Sequence, residues 1–131
     1  MIVLDTHALI WWVDGSCELS KAAASAIEHA QAQGGVIVSS ITAWEIAMLV
    51  DRGRLTLTMD LPSWLSTVSR VSGIRFTPVD NPIAVGSVNL PGEFHKDPAD
   101  RIIVATARRF SAPLVTHDRR IRSYPHLKTV W

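Results

Sequence analysis

The stretch Ile2-Val3-Leu4-Asp5-Thr6 is a short apolar run that ends on an acid and a threonine. A similar arrangement, Leu114-Val115-Thr116-His117-Asp118, stands near the other end of the sequence. Short runs of this kind, rich in β-branched residues, are typical of buried strands. The carboxyl ends of parallel strands share one edge of an open α/β sheet, and ligands bind there. We therefore expect Asp5 and Asp118 to lie at a common edge.

Short β-rich runs alternate with longer helical patterns along the whole sequence. Strands are predicted at residues 2–4, 36–38, 74–77, 114–116 and 129–130. Helices are predicted near residues 6–13, 21–33, 40–52, 61–71, 81–88, 98–110 and 119–123. The alternation predicts an α/β fold with a five-stranded, mostly parallel sheet flanked by about seven helices. Because no repeat or long linker divides the sequence, we expect residues 1–131 to form a single domain.

The composition is that of a globular protein and excludes several other classes. Hydrophobic residues make up 47% of the chain and charged residues 19%, a balance that excludes disorder. The single cysteine, Cys17, excludes an internal disulfide and suits a reducing compartment. No apolar stretch approaches the roughly 20 residues of a membrane span, and the N-terminal residues lack the pattern of a signal peptide. We therefore expect a cytoplasmic protein with no membrane contact.

The charges are unevenly distributed. Residues 96–131 hold eight Lys or Arg and three acids, a balance of +5, whereas the remainder holds five basic and nine acidic residues, or −4. A basic C-terminal third beside an acidic site suggests a polyanion held near a metal centre. Charge alone leaves open the alternative of a solvated helix face with no partner.

Two acids in the predicted helices lie on apolar faces. Residues three, four or seven positions apart share a helix face, so the neighbours are Ile41, Met48 and Leu49 for Glu45, and Ile103, Val104 and Ala107 for Asp100. A carboxylate on such a face is costly unless an arginine or a cation compensates its charge. With Asp5 and Asp118 at the strand ends, a divalent cation is favoured over a buried salt bridge, and Mg²⁺ prefers such oxygen ligands.

Other polar residues near these acids are candidates either for supporting the site or for capping helices. Asp97-Pro98-Ala99-Asp100 has the form of a helix start, which makes Asp97 a cap first and a site residue second. Asp118 could likewise cap the short helix that follows it. The remaining support candidates are Thr6, Ser39, Thr42 and Thr116, with capping favoured for Ser39. The histidines lack the paired spacing of a zinc site, although His95 and His117 lie near the predicted edge and could touch substrate.

These segments together resemble the PIN-domain ribonucleases, in particular the VapC toxins of bacterial toxin–antitoxin pairs. The resemblance covers nearly the whole chain, in order, and rests on the segments Asp5-Thr6-His7, Ser39-Ser40-Ile41-Thr42-Ala43-Trp44-Glu45-Ile46, Asp97-Pro98-Ala99-Asp100-Arg101 with the apolar run after it, and Leu114-Val115-Thr116-His117-Asp118. Each segment alone is a weak signal, and only the set is specific. The resemblance implies a PIN-like fold with an acidic pocket that binds Mg²⁺ or Mn²⁺.

Position by position, the resemblance makes Asp5, Glu45 and Asp100 the core metal-site and catalytic acids, with Asp118 as a fourth acid whose role varies more. The matching polar pocket residues are Thr6 and Thr116. The resemblance also implies a homodimer, and a cognate antitoxin that wraps the first crossovers and pushes a basic side chain into the pocket. Adjacent Trp11 and Trp12 cannot point the same way on a helix, so we expect one of them to be exposed and able to anchor a partner helix.

The resulting hypothesis is a toxin that hydrolyses an RNA phosphodiester, in transfer or ribosomal RNA, with water activated by Mg²⁺. The residues predicted to bind RNA phosphates are Arg101, Arg119 and Arg120. One alternative is a phosphatase that forms an aspartyl-phosphate on Asp5, although His7 stands where such enzymes usually carry a second acid. The other alternative is a non-catalytic binding module whose acids only cap helices.

Overall fold

The sheet is built from five short strands that are all parallel. The computed structural model describes residues 1–131 and places the strands in the order β3-β2-β1-β4-β5. The strands are β1 Ile2–Leu4, β2 Val36–Ser39, β3 Ile74–Thr77, β4 Leu114–Val115 and β5 Thr129–Val130. The predicted α/β class and five-stranded sheet are confirmed, and the sheet is parallel throughout.

Seven helices connect and cover the strands, as predicted. They are α1 Thr6–Asp14, α2 Lys21–Ala32, α3 Ile41–Asp51, α4 Leu61–Ser69, α5 Asn81–Val88, α6 Pro98–Arg109 and α7 Arg119–Arg122. Acids or a serine cap most of their N-termini: the side chains of Asp60 and Asp80, for example, accept from the backbone N–H groups of Ser63 and Ile83. None of the helices is both long and apolar enough to cross a bilayer.

The central strand β1 divides the core into two layers. Its side chains alternate, so Ile2 and Leu4 pack with α1, α2 and α4, whereas Val3 packs with α6 and α7. Ile103 of α6 and Leu114 of β4 are fully buried in the second layer. Because both faces are covered, β1 is apolar at every position, as buried parallel strands usually are. This packing fixes the carboxyl ends of β1, β2 and β4 at one edge of the sheet.

Candidate active site

A cavity of about 700 Å³ opens at this edge and gathers the predicted acids. Six of its lining residues are acids and two are arginines, and the full set is Asp5, Thr6, His7, Trp11, Glu18, Glu45, Arg54, Asp97, Asp100, His117, Asp118 and Arg120. All four predicted catalytic acids are present, together with Asp97. The structure therefore brings together acids from separate parts of the chain, as the sequence predicted.

Asp5 is the most rigidly held of the acids. It caps α1, where its Oδ1 accepts from the backbone N–H of Thr6 at 2.8 Å, and its Oδ2 accepts from the Thr116 hydroxyl at 2.6 Å. Only 9% of the residue is exposed. Burial raises the pKa of its carboxyl, while the hydrogen bonds from Thr116 and Thr6 oppose that shift. The Asp5 carboxylate is thus fixed in place but short of positive charge.

Glu45 reaches the cavity from α3 and is held by two threonines. The Thr6 hydroxyl donates to Glu45 Oε1 at 2.6 Å, and the Thr6 and Thr42 hydroxyl oxygens lie 3.0 Å apart. Burial raises the pKa of Glu45 to about 7, and the neighbouring charges of Asp5 and Asp100 add to the effect of burial. Glu45 is half-buried, and the fully buried face of α3 is the one with Thr42 and Ile46. Glu45 was predicted to lie on the apolar face of α3, and it lies at the edge of the buried face of that helix.

Asp100 extends from the first turn of α6. As the spacing predicted, Ile103, Val104 and Ala107 are buried on the same helix. His95 Nε2 lies 2.6 Å from Asp100 Oδ2, and the side chain of Asp100 is 13% exposed. Burial raises the pKa of Asp100; the hydrogen bond from His95 opposes the shift, and the charge of Asp5 reinforces it.

Asp97 and Asp118 line the cavity, and both also cap helices, as their positions in the sequence favoured. Asp97 Oδ1 accepts from the backbone N–H of Asp100 at 3.0 Å, and Asp97 is exposed. Asp118 Oδ1 accepts from the N–H groups of Arg120 and Ile121 at 2.8 and 3.2 Å. The backbone N–H of Asp118 donates to the Thr116 hydroxyl at 3.1 Å, which links Asp118 to Asp5 through one threonine.

The predicted support residues divide into two groups. Thr6, Thr42 and Thr116 form hydrogen bonds with the acids or with one another, as described above. Ser39 is fully buried and its hydroxyl accepts from the backbone N–H of Ile41 at 3.2 Å. Ser39 is not among the residues that line the cavity, so its role is the start of α3, the function that its position favoured.

The acids line one cavity, but their carboxylate groups do not converge on a single position. No three His, Cys, Asp or Glu side chains converge as ligands of one ion. Glu45 is turned toward Thr6, Asp100 toward His95, and Asp118 toward the N–H groups of α7. The fold therefore places the acids around one cavity. Their side chains would have to rotate for several of them to bind the same ion.

The donor set fits a hard divalent cation. Six carboxylates face two guanidinium groups in the cavity, and carboxylate oxygens are the ligands that Mg²⁺ and Mn²⁺ favour. Arg120 Nη2 lies 3.7 Å from both Asp100 Oδ2 and Asp118 Oδ2, but its side chain is 62% exposed and weakly placed to neutralise them. Burial is the main cause that raises the pKa values of Asp5, Glu45 and Asp100, and the charges of neighbouring carboxylates add to it. A bound cation would favour the ionised forms of these acids.

Arg101, one of the three arginines predicted to bind RNA, has a structural role as well, and its contact with RNA stays a prediction. Its guanidinium donates to the backbone carbonyls of Ser87, Val88, Phe94 and His95 at 2.8 to 3.1 Å. These bonds fasten the segment between α5 and α6, which carries His95, so Arg101 is held by the fold. Arg119 and Arg120 are exposed on α7 and remain candidates for contact with RNA.

The two arginines should therefore differ in their effect on stability. We expect Arg101→Gln to lower the free energy of unfolding by about 2 kcal/mol, because several part-buried carbonyls lose a charged donor. Arg120→Gln, a matched exposed change, should alter it by less than about 0.5 kcal/mol. Urea denaturation of both variants measures the difference, and equal losses would refute the structural role of Arg101.

Sequence reasoning missed several residues of the cavity. Glu18 lies in the connection between α1 and α2, and Arg54 follows α3; nothing in their local sequence points to a site. His7 and Trp11 stand four positions apart on α1, so their shared face was readable but carried no chemical signal. The expectation that either Trp11 or Trp12 is exposed is wrong, because both are half-buried. The most exposed tryptophan is Trp44, at 54%.

Comparison with known proteins identifies the family. A family model described as PIN domain matches residues 2–127. The chain belongs to the PIN-domain family. It is 39% identical over 132 residues to Ribonuclease VapC22 of Mycobacterium tuberculosis, a match that spans 99% of this chain and 98% of that protein. The resemblance predicted from the sequence is confirmed.

Solved structures of other proteins show the same fold. A toxin–antitoxin complex from Klebsiella pneumoniae matches with a TM-score of 0.68 at 23% identity, over 100% of this chain and 97% of that one. VapBC2 from Rickettsia felis, bound to a DNA fragment from the promoter, matches with a TM-score of 0.71 at 17% identity, over 98% and 97%. Both confirm the PIN-like fold of this chain.

Proposed function

We propose that this PIN-domain chain is a metal-dependent endoribonuclease that acts as the toxin of a toxin–antitoxin pair. The observation that carries the proposal is that Asp5, Glu45, Asp100 and Asp118 line one cavity, although they follow or belong to four different elements. The near full-length similarity to a protein named as a ribonuclease supports the same conclusion. The proposed substrate is an RNA phosphodiester, in transfer or ribosomal RNA.

Asp5, Glu45 and Asp100 are proposed to hold Mg²⁺ or Mn²⁺, with Asp118 beside them. A bound divalent cation lowers the pKa of a water molecule and steadies negative charge on the reacting phosphate. The chain itself positions the carboxylates: Thr116 fixes Asp5, and Thr6 fixes Glu45. Arg120, at the cavity, and its exposed neighbour Arg119 are proposed to contact phosphates of the RNA.

An aspartyl-phosphate mechanism has less support. Both carboxylate oxygens of Asp5 accept short hydrogen bonds, and burial leaves the group little room to attack a phosphate. His7 provides no carboxyl group at the position of the second acid. Metal-assisted attack by water requires Asp5 only as a ligand, through the lone pairs that these hydrogen bonds leave on its oxygens, and it needs no second acid at the position of His7.

A cognate antitoxin, a homodimer and a cytoplasmic location complete the proposal. A groove of about 300 Å³ adjoins the cavity at Glu45 and includes Trp44, Met48 and Leu49, which offer an apolar surface to an antitoxin segment. On α5, Val85 and Val88 are 60% and 74% exposed. They provide a surface that a second copy of the chain would cover.

Cleavage of RNA with and without divalent metal tests the function. We expect the chain to cut a defined RNA at mapped positions in Mg²⁺, and EDTA to lower the rate by at least about a hundredfold, because the acids alone cannot activate water. Restoring Mg²⁺ in excess should restore the rate. Equal cleavage in EDTA and in Mg²⁺ would contradict the proposal, as would the absence of cleavage from a broad set of transfer and ribosomal RNAs.

A further inference from the structure

One side of the cavity is formed by aromatic rings instead of acids. His7, Trp11 and His117 line the cavity, and Trp131 packs behind them. The ring centroids of Trp11 lie 5.5 Å from His7, 5.7 Å from His117 and 5.7 Å from Trp131, and those of His117 and Trp131 lie 5.3 Å apart. We call these four residues the aromatic wall.

The aromatic wall adjoins the acids through the chain itself. His7 stands two residues after Asp5, and His117 directly precedes Asp118. The wall therefore combines one face of α1, formed by His7 and Trp11, with the junction between β4 and α7. A ligand whose anionic part sits among the acids has this wall within reach of its next group.

The wall is supported by the core, yet part of it is exposed. Trp11 and Trp131 are half-buried and pack against the hydrophobic cluster around β1 and α2. His7 and His117 are exposed, and neither forms a side-chain hydrogen bond within the protein. Core packing therefore explains the tryptophans but leaves two ring systems open toward the cavity.

We propose that the aromatic wall stacks an unpaired nucleobase next to the phosphate that is cut. The inference rests on the proposed function and adds the residues that contact the base: the rings of the aromatic wall would pack against the nucleobase next to the cut phosphate. A nucleotide carries an anionic phosphate and a flat base. The cavity places the acids proposed to hold a cation, which would attract the phosphate, beside rings that a base could stack on. Bases of a duplex are stacked on each other, so only an unpaired base can reach such a surface.

A substrate that lacks one base tests the proposal. An RNA cut by the wild type is compared with copies that carry an abasic residue on either side of the cut phosphate. We expect one abasic copy to be cut about tenfold more slowly by the wild type, judged by kcat/KM, since a stacked base contributes on that scale. Trp11→Leu and His117→Ala should bring the ratio of intact to abasic RNA toward one, whereas Trp11→Phe, which keeps an aromatic face, should preserve most of it.

The control is His29→Ala, which removes an exposed imidazole on α2 that does not line the cavity. It should keep the wild-type ratio. The proposal is overturned if the wild type shows no preference between intact and abasic RNA. It is also overturned if the wall variants slow both RNAs equally, or if they lose binding to a protein partner while the ratio persists.

Binding separates this inference from the proposed function. The affinity of Asp5→Asn protein for intact and abasic single-stranded oligonucleotides, measured by fluorescence anisotropy, does not depend on cleavage. If the Asp5→Asn protein prefers the intact strand and Trp11→Leu removes that preference, base stacking by the aromatic wall is supported even if the wild type cuts no RNA. Equal affinities for the two strands would overturn base stacking by the aromatic wall, and Mg²⁺-dependent cleavage of RNA would remain as a separate proposal.

Discussion

Asp5→Asn is expected to lower RNA cleavage by about a thousandfold or more, a loss of several kcal/mol of transition-state stabilisation. Asparagine keeps the shape of the side chain but removes the charge of the most buried acid in the cavity. The backbone N–H of Thr6 can still donate to its amide oxygen, so the cap of α1 should persist. Initial rates in Mg²⁺, under matched RNA concentrations, give the change in kcat/KM.

Asp80→Asn is the matched control for this prediction. Asp80 caps α5 and does not line the acidic cavity, and asparagine is as good a cap as aspartate. It should therefore cleave RNA at the wild-type rate. Thermal unfolding of both variants should show an intact fold. A folded Asp5→Asn protein that cuts RNA as fast as the wild type would remove Asp5 from the catalytic site.

The metal-free protein is expected to lose stability as the pH rises from about 5 to about 8. The pKa of Glu45 is raised from 4.5 to about 7, and burial raises those of Asp5 and Asp100 as well. A folded pKa above the unfolded value means that the folded state binds more protons. The stabilising contribution is thus complete below the unfolded pKa and is lost as the pH passes through the folded one.

The size of this loss is set mainly by Glu45. Its shift would correspond to about 3 kcal/mol for a fully buried group, and solvent screening of the half-buried side chain reduces that to about 1–2 kcal/mol. Urea denaturation in EDTA at several pH values measures it, and Glu45→Gln should flatten the curve. Added Mg²⁺ should stabilise the protein more at pH 8 than at pH 5.5, because its ligands must be deprotonated. Stability that rose between pH 5 and 7 in EDTA would contradict this prediction.

The sequence predicted the framework of the site because the framework depends on local patterns. Apolar runs such as Ile2–Leu4 marked the buried strands, and acids before Pro or Thr marked helix starts. Parallel topology then required Asp5 and Asp118 to meet at one edge. Helical spacing put Asp100 beside buried Ile103, which the structure confirms.

The details of the site depended on side-chain choices that no local pattern encodes. Arg101 carries the charge expected of an RNA ligand, but nearby carbonyls at the end of α5 and before α6 take up its guanidinium. Asp100 lies on the predicted face, yet its carboxylate is turned to His95, five residues earlier in a loop. Glu18 and Arg54 enter the cavity from connections whose paths depend on the assembled fold.

We propose that carboxylates from separate elements hold one catalytic cation at the sheet edge. Anomalous diffraction from crystals of the chain grown with Mn²⁺ would locate that cation. We expect a manganese peak in the acidic cavity, within about 2.0–2.3 Å of oxygens of Asp5 and Asp100, and no such peak in Asp5→Asn crystals. A cavity without manganese at saturating Mn²⁺, or a peak held by other residues while RNA is still cut, would contradict the claim.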